Sequence, residues 1–570
     1  MISSSSANSA SPRESLSSSS SPRELLQKHF DLALDAPDGI KKLRELILTL
    51  AMQGKLVPQD PKDQPASELL KEIEAEKRRL VKEGKIKKGS RGDAEGAEIR
   101  PEDVPYAVPA GWEWVRLELI ASIQTGKKDV NEGHENGLYP FFSCAMEPLK
   151  SNDYSFDCEA LLLPGNGANV GQITYYYGKF EAYQRTYILS DFYKDSARFI
   201  EKVLDAFFLK SLEGKQYGSA INYIKMGNLT DFMIPLPPLA EQKRIVAKID
   251  QLMVSCDVLE ELRGNRQQMR LDIHTAAIHQ ILSPSSATPR LRVRDFLFSH
   301  FSELYSIKEN VAELRKAILQ LAVMGRLVPQ DPKDQPASEL LKEIEAEKRR
   351  LVKEGKIKAP KPLQEIKPED LPYEVPVGWA WVRLNNAIDV RDGTHDSPKD
   401  AFGEGTYPLV TSKNFDNGII NFSNARQIST EDHFEIQKRS KVETDDILFS
   451  MIGGNIGNQV VVRDATDFSV KNVAIFKYYS KKLISPLYIK RFSEHLANSL
   501  QERASGGAQP FVSLGVLRNL LFPLSPLAEQ KRIVAKIDQL MALCDSLEQG
   551  IEAATKKQTQ VLDSIIAGVA

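Results

Sequence analysis

The chain has 570 residues, 42% of them apolar and 27% charged, and its 75 Lys and Arg against 77 Asp and Glu leave a net charge of −2. That length exceeds what one hydrophobic core normally supports, so several domains are expected, and the neutral balance excludes a protein held to nucleic acid by bulk positive charge. No apolar run approaches the roughly 20 residues of a membrane-spanning helix, and the N-terminus has no apolar signal core, so the expected location is the cytoplasm. Cys144, Cys158, Cys256 and Cys544 show no CxxC spacing and read as free thiols packed as small hydrophobes.

In chain order, residues 1–24 are Ser-rich, a composition that buries too little apolar surface to fold, and form an expected disordered tail. Residues 25–100 form a helical region. Leu25 to Met52 read as two helices with a turn at Ala36 to Gly39, and a charged helix capped by Ser67 or Asp63 runs to Gly84. The charges of that helix at i, i+4 read as a solvated face, and Glu83-Gly84-Lys85 at a helix end is not a nuclease site.

Residues 101–236 are a mixed α/β domain with short β-like runs such as ALLLPGNGANVGQITYYYGKF at Ala160. Trp112 and Trp114 alternate along its first strand as core anchors. Gly165-Asn166-Gly167 lacks the following Lys-Ser/Thr of a phosphate loop and reads as a turn. Residues 237–283 form one helix with apolar positions at Ile245, Ile249, Leu252, Cys256 and Leu259, the 4-3 spacing of a coiled-coil seam. His274 and His279, five apart, are expected on its surface.

The second half repeats the first. In residues 284–367 the helical region returns, and Leu56 to Lys87 recurs letter for letter from Leu327 to Lys358. Residues 368–524 form a second mixed domain that opens PEDLPYEVPVGWAWVRL, matching PEDVPYAVPAGWEWVRL at Pro101, with Trp379 and Trp381 as its anchors. PLPPLAEQKRIVAKIDQLM at Pro235 returns at Pro523 with one difference, Pro237 against Ser525, and opens the helix of residues 525–570. Its seam is Ile533, Ile537, Leu540, Cys544 and Leu547, continuing through Ile551, Ala554, Val561 and Ile565. Between these repeats the two inserts share little. The expected fold is α+β, with a pseudo-two-fold internal repeat in which two mixed α/β domains are separated by long helices that pair as an antiparallel coiled coil. Each helix finds its simplest partner in the other copy and acts as a spacer of roughly 65 Å.

No Asn/Asp-Pro-Pro-Tyr/Phe tetrapeptide, Walker lysine or catalytic cluster is present in the sequence, so the chain is expected to bind rather than catalyse. A cryptic nuclease or methylase and a purely structural scaffold are the alternatives. A scaffold has no evident need for two unlike heads on identical frames.

The LAEQKRIVAKIDQLM helices, the LVPQDPKDQPASELLKEIEAEKRRLVKEGKIK segments and the GWxWVRL openings resemble the DNA-specificity subunit of type I restriction-modification enzymes, over nearly the whole chain after about Leu25. The resemblance implies that each insert is a target-recognition domain reading half of a bipartite, gapped site in double-stranded DNA, and that the helices fix the gap. It also implies that two methyltransferase subunits dock on the repeated helices, that restriction/translocase subunits complete the assembly, and that S-adenosylmethionine, ATP and Mg reside on those partners, with no cofactor, metal or catalytic residue on this chain. Neither insert has a basic excess, so the isolated chain is expected to bind DNA weakly.

Base contacts need paired donors and acceptors on loops. The candidates in the first insert are Lys127, Lys128, Asn166, Asn169, Gln172, Gln184, Arg185, Asn222 and Lys225. In the second, RDGTHDSPK at Arg391 resembles a segment recurrent in such domains, which brings forward Arg391, Thr394, His395, Ser397, Lys413 and Asn414, followed by Asn455, Asn458, Gln509 and Ser513.

Overall fold

The computed structural model describes residues 35–84, 104–212, 223–282, 287–463, 466–504 and 511–569. The Ser-rich tail and the first of the two helices expected before Met52 lie outside the described residues. The chain divides into two compact units, Met1–Arg266 with Ala554–Ala570, and Gln267–Ala553.

In the first unit the helices Gly39–Met52 and Ala66–Lys82 precede the strands. Ala66–Lys82 buries Ala66, Leu69 and Ile73, a stripe one or two turns apart, and exposes most of its charges, while the half-buried Lys77 donates to the Glu118 carbonyl. The expected cap by Ser67 or Asp63 is not formed. Pro65 stands at the N-cap without a side-chain bond, the Ala66 amide donates to the Gly111 carbonyl (2.8 Å), and Asp63 is taken by Arg244 (2.6 Å). Six strands form one sheet in the order β2-β7-β5-β6-β3-β4: β2 (Ser122–Thr125), β3 (Tyr139–Phe142), β4 (Leu149–Ser151), β5 (Phe156–Pro164), β6 (Thr174–Ala182) and β7 (Thr186–Ser190). All pairings are antiparallel except β3 with β6. A separate antiparallel ribbon of β1 (Glu113–Arg116) and β8 (Met233–Leu236) brings the two ends of the domain together.

The second unit repeats this plan with different residues. β9 (Ala380–Arg383) pairs with β19 (Leu521–Leu524) as the closing ribbon. β10 (Asp389–Asp392), β18 (Val473–Lys477), β15 (Ile447–Ser450) and β16 (Gln459–Val461) form an antiparallel sheet in that order, the counterpart of β2-β7-β5-β6. β11 (Thr406–Val410) pairs antiparallel with β14 (Arg426–Ser429) and parallel with β17 (Ser469–Val470), as β3 does with β4 and the end of β6. A small hairpin, β12 (Phe415–Asp416) with β13 (Ile419–Ile420), is extra. The first unit has one sheet where the second has two, because β6 runs unbroken through nine residues whereas 462–468 separate β16 from β17.

The repeated stretches interlock. Trp112 Nε1 donates to Glu241 Oε2 (3.0 Å) and Gln59 Nε2 to Glu241 Oε1 (3.2 Å). In the second unit Trp379 donates to Glu529 (2.9 Å), Gln330 to the same carboxylate (3.2 Å), and Arg532 pairs with Asp334 (2.7 Å). Trp114 and Trp381 donate to the carbonyls of Tyr106 and Tyr373. The tryptophans are anchors, as expected, and the repetition follows from one lock built twice. Burial raises the Glu241 and Glu529 carboxyls above their ordinary values.

The long helices are Leu239–Leu282 and Leu527–Val569, of 44 and 43 residues. Ile245, Ile249 and Cys256 are buried in the first unit's main core with Ile40, Ile47 and Ala51, and Leu252 and Leu259 pack against it. Arg44 reaches over this seam to Asp257 and Glu260. Ile533, Ile537 and Cys544, with Leu540 and Leu547, pack likewise with Val311, Ile318 and Ala322, under Arg315 bound to Asp545 (2.6 Å) and Glu548 (3.1 Å). Over these turns each seam shares its core with the preceding helix of the same unit. Farther along, Leu562 packs with Ala36, and Lys42 pairs with Asp563. Each unit thus holds the beginning of one long helix and the last turns of the other.

His274 is buried rather than on the surface, with its Nδ1 at 3.0 Å from the Tyr305 hydroxyl, and burial lowers its pKa. No helix among the described residues is long and apolar enough to cross a membrane, and none of their His, Cys, Asp and Glu side chains form a group of three able to hold a metal.

Candidate nucleic-acid interface

In the first head the sheet curls until the end of β2 meets the end of β6. The amides of Lys127 and Lys128 donate to the Ala182 carbonyl (3.2 and 3.3 Å), and the Gly126 amide donates to the Thr186 carbonyl (3.1 Å). A Cβ at Gly126 sits only 2.2 Å from the Ala182 oxygen, so glycine alone permits this approach. The Gln184 amide donates to Lys128, Gly165 to Arg185 (both 2.9 Å), and Ile224 to Gly165 (3.0 Å). Asn166 bridges Tyr223, and Asn169 Nδ2 donates to the Cys144 carbonyl (2.9 Å). Four loops distant in sequence become one rim, carrying Lys127, Lys128, Asn166, Asn169, Gln172, Gln184, Arg185 and Lys225. Arg185, Gln172, Gln184, Lys127 and Lys225 are exposed. Lys128 is paired with Glu132 (2.8 Å), and Asn169 holds the loop itself. Asn222 lies outside the described residues.

The second head forms the same rim by the same bonds. The Gly393 amide donates to Val473 and the Thr394 amide to Val470 (both 2.9 Å), and a Cβ at Gly393 sits 2.5 Å from the Val470 oxygen. Val512 donates to Met451 (2.9 Å), and Ile452 bridges Phe511. This rim carries His395, Ser397, Asn455 and Asn458, all exposed, with Ser513 half-buried. Lys413 is exposed on the turn after β11, whose Val410 carbonyl accepts the Lys471 amide (2.9 Å). Gln509 lies outside the described residues.

Four candidates have structural work instead. Asn414 is buried and its Oδ1 accepts from the Thr411 amide (2.9 Å) and hydroxyl (3.1 Å). Thr394 is buried and accepts from the Asp396 amide (3.1 Å). Arg391 lies on β10 and binds Asp389 (2.7 Å), and Ser513 caps the helix Leu514–Asn519 by accepting from Val516 (3.2 Å). Asn, Thr and Ser satisfy local amides as readily as they read bases, so residue type did not separate the two roles.

The pattern Gly-x-Asn-Val/Ile-Gly, at Gly167 to Gly171 and Gly453 to Gly457, occupies equivalent places in the two rims and was a sequence signal passed over. Opposite it the heads differ: Lys127-Lys128 in one and Thr394-His395 in the other, with Tyr183-Gln184-Arg185 in the first head where the second has Lys471-Asn472. Lys471, Asn472 and Arg439 are rim residues that the sequence reading missed. Arg439, on the helix Thr430–Ser440, donates from Nη2 to Asp392 Oδ2 (2.7 Å), which also accepts from His395 Nε2 (3.0 Å). Burial works to raise the Asp392 carboxyl, but Arg439 and His395 outweigh it and hold it below its ordinary value.

The sequence profile described as the type I restriction modification DNA specificity domain matches residues 109–265 and 376–557. The EcoAI specificity subunit of Escherichia coli is 35% identical, across 92% of this chain and 93% of its own length. The EcoEI specificity subunit of the same organism is 29% identical, with the same coverage of each chain. The solved HsdS subunit from Thermoanaerobacter tengcongensis aligns with 82% of this chain and 99% of its own, at 17% identity and a TM-score of 0.38. The chain belongs to the family of DNA-specificity subunits of type I restriction-modification enzymes.

Proposed function

We propose that each rim reads one half of a bipartite, gapped DNA site, that the long helices set the gap, and that two methyltransferase subunits dock on the repeated frame. As a specificity subunit the chain recognises DNA sequence within a type I complex and leaves catalysis to other subunits. On this reading adenine N6 methylation or cleavage, with S-adenosylmethionine, ATP and Mg, belongs to those partners, and the complex works in the cytoplasm.

One observation carries the proposal: equivalent rim positions on a common frame bear unlike side chains. After the matching glycines Gly126 and Gly393 come Lys127-Lys128 in one head and Thr394-His395 in the other, Tyr183 stands where the other head has Lys471, and Arg185 is an added residue before Thr186. Ammonium, hydroxyl, imidazole and guanidinium groups have different base preferences. A common frame with differing tips is what two readers of different sequences require.

The test is Arg185→Ala and His395→Ala, each in the complex assembled with its methyltransferase subunits and scored by methylome sequencing. Each is expected to relax one half-site only, since one good base contact supplies about 1–3 kcal/mol of discrimination. An unchanged methylated sequence for both removes the rims as readers. The neutral charge adds a second expectation. The isolated chain shifts DNA weakly, and more so as salt rises, whereas the assembled complex binds tightly; tight binding by the chain alone at physiological salt contradicts the partners' role.

A further inference from the structure

We infer that Arg439, oriented by Asp392 together with His395, is a base-reading residue of the second head. The inference rests on the reading that this rim meets DNA.

Arg439 is brought to the rim by its helix. Ser429 caps that helix by accepting from the Asp432 amide (3.1 Å). One turn on, His433 is fully buried, stacks on Tyr407 with ring centroids 3.8 Å apart, and meets the Ser469 hydroxyl at 3.0 Å. Gln437 donates to Asp467 (2.8 Å). The helix is therefore fixed against β11 and β17, and Arg439 projects from its last turn with its side chain 60% exposed.

Asp392 is the opposite case, a carboxylate with 12% of its side chain exposed at the end of β10. It takes Nη2 of Arg439 and Nε2 of His395, while His395 Nδ1 lies 3.2 Å from Asn472 Oδ1. One ionised group thus sets the direction of two exposed donor-bearing side chains at the place where the heads differ. In the first head Thr125 occupies the place of Asp392, so the device belongs to one half-site.

The tether also separates base reading from a phosphate grip. A guanidinium bound to a carboxylate has much of its charge neutralised, which weakens its attraction to phosphate. Fixing its plane lowers the entropy lost when its remaining donors form a forked contact with a base, and guanine O6 and N7 are the acceptors that suit it.

The experiment places Arg439→Ala, Arg439→Lys and Asp392→Asn in the full chain assembled with its methyltransferase subunits, with Lys471→Ala and Arg185→Ala as rim controls, all read by methylome sequencing. Arg439→Ala is expected to admit other bases at one position of the second half-site, lowering discrimination there by about 5- to 150-fold, with the first half-site unchanged. Lysine does not restore it, because the fork is lost. Asp392→Asn loosens the same position to a smaller extent, which a purely structural role does not predict, since that lowers methylation at all sites without changing their sequence. Uniform loss with Arg439→Ala, or no change, overturns the inference. If the control variants still alter their half-sites, the rim reading survives that failure; if they do not, the rim reading falls as well.

Discussion

Replacing Lys477 with Met isolates the electrostatic support of the second head. Lys477 closes β18 with 9% of its side chain exposed, its Nζ 2.6 Å from Asp446 Oδ2 and 2.9 Å from Glu443 Oε2. Asp446 has a side chain only 2% exposed, and its other donor is the Glu443 amide (2.7 Å). Even beside this cation, burial pushes the Asp446 carboxyl up to about 6, whereas Lys477 holds Glu443 below its ordinary value. Without Lys477 a carboxylate stays buried with one backbone donor, and breaking a buried pair in this way costs about 3–5 kcal/mol. Hydrogen exchange of the full chain should show amides of β10, β15, β16 and β18 exchanging on the order of 10² to 10⁴ times faster, with the six-stranded sheet of the first unit unaffected. The pH dependence has a definite sign. The folded pKa of Asp446 lies above its unfolded value of 3.8, so the group's contribution is fully present below that value and is lost as pH rises through about 6. Removing the cation raises the folded pKa further, so the defect is largest near pH 8 and shrinks toward pH 5. Lys477→Met with Asp446→Asn recovers part of the loss. Exchange within threefold of wild type at pH 8, or a defect that does not shrink on acidification, refutes the reasoning.

Trp379→Phe removes a donor from the buried Glu529 carboxylate and should lower the stability of the second unit by about 1.5–3 kcal/mol in denaturant unfolding. Glu529→Gln should also destabilise, because Trp379 and Gln330 both donate and an amide offers one acceptor; a neutral result for either removes the lock as the reason for the repeat. Asn414→Ala should cost about 1–2 kcal/mol in thermal unfolding and leave the methylated sequence unchanged. A changed half-site in that variant restores Asn414 as a reader.

The tandem was legible because identical residues needed no structural interpretation, and the tryptophans because they recurred where the inserts diverged. The shared strand order was not, since β5 pairs β7 and β10 pairs β18 across long separations that carry no local signal. The 4-3 spacing of Ile245 to Leu259 marks an apolar stripe but does not say what covers it, and the part played there by the helix Gly39–Met52 came only from the structure. His274 was misplaced for the same reason, because its partner Tyr305 lies 31 residues farther along the chain. Glycine-punctuated loops pointed to Arg185, Gln184 and His395, which the structure places exposed on the rims. Asn414 and Thr394 share their composition but turn the chain, and Arg439 comes from a helix 47 residues beyond its carboxylate.

Separate reading by two heads is tested most directly by replacing residues from about Tyr373 to Phe522, the span closed by the β9–β19 ribbon, with the second variable domain of another family member. The hybrid chain is expressed with its methyltransferase subunits and the methylome of the cells is sequenced. A changed second half-site, with the first half-site and the gap as before, is the predicted result. Simultaneous change of both half-sites, or an unchanged sequence from an active hybrid, contradicts the account.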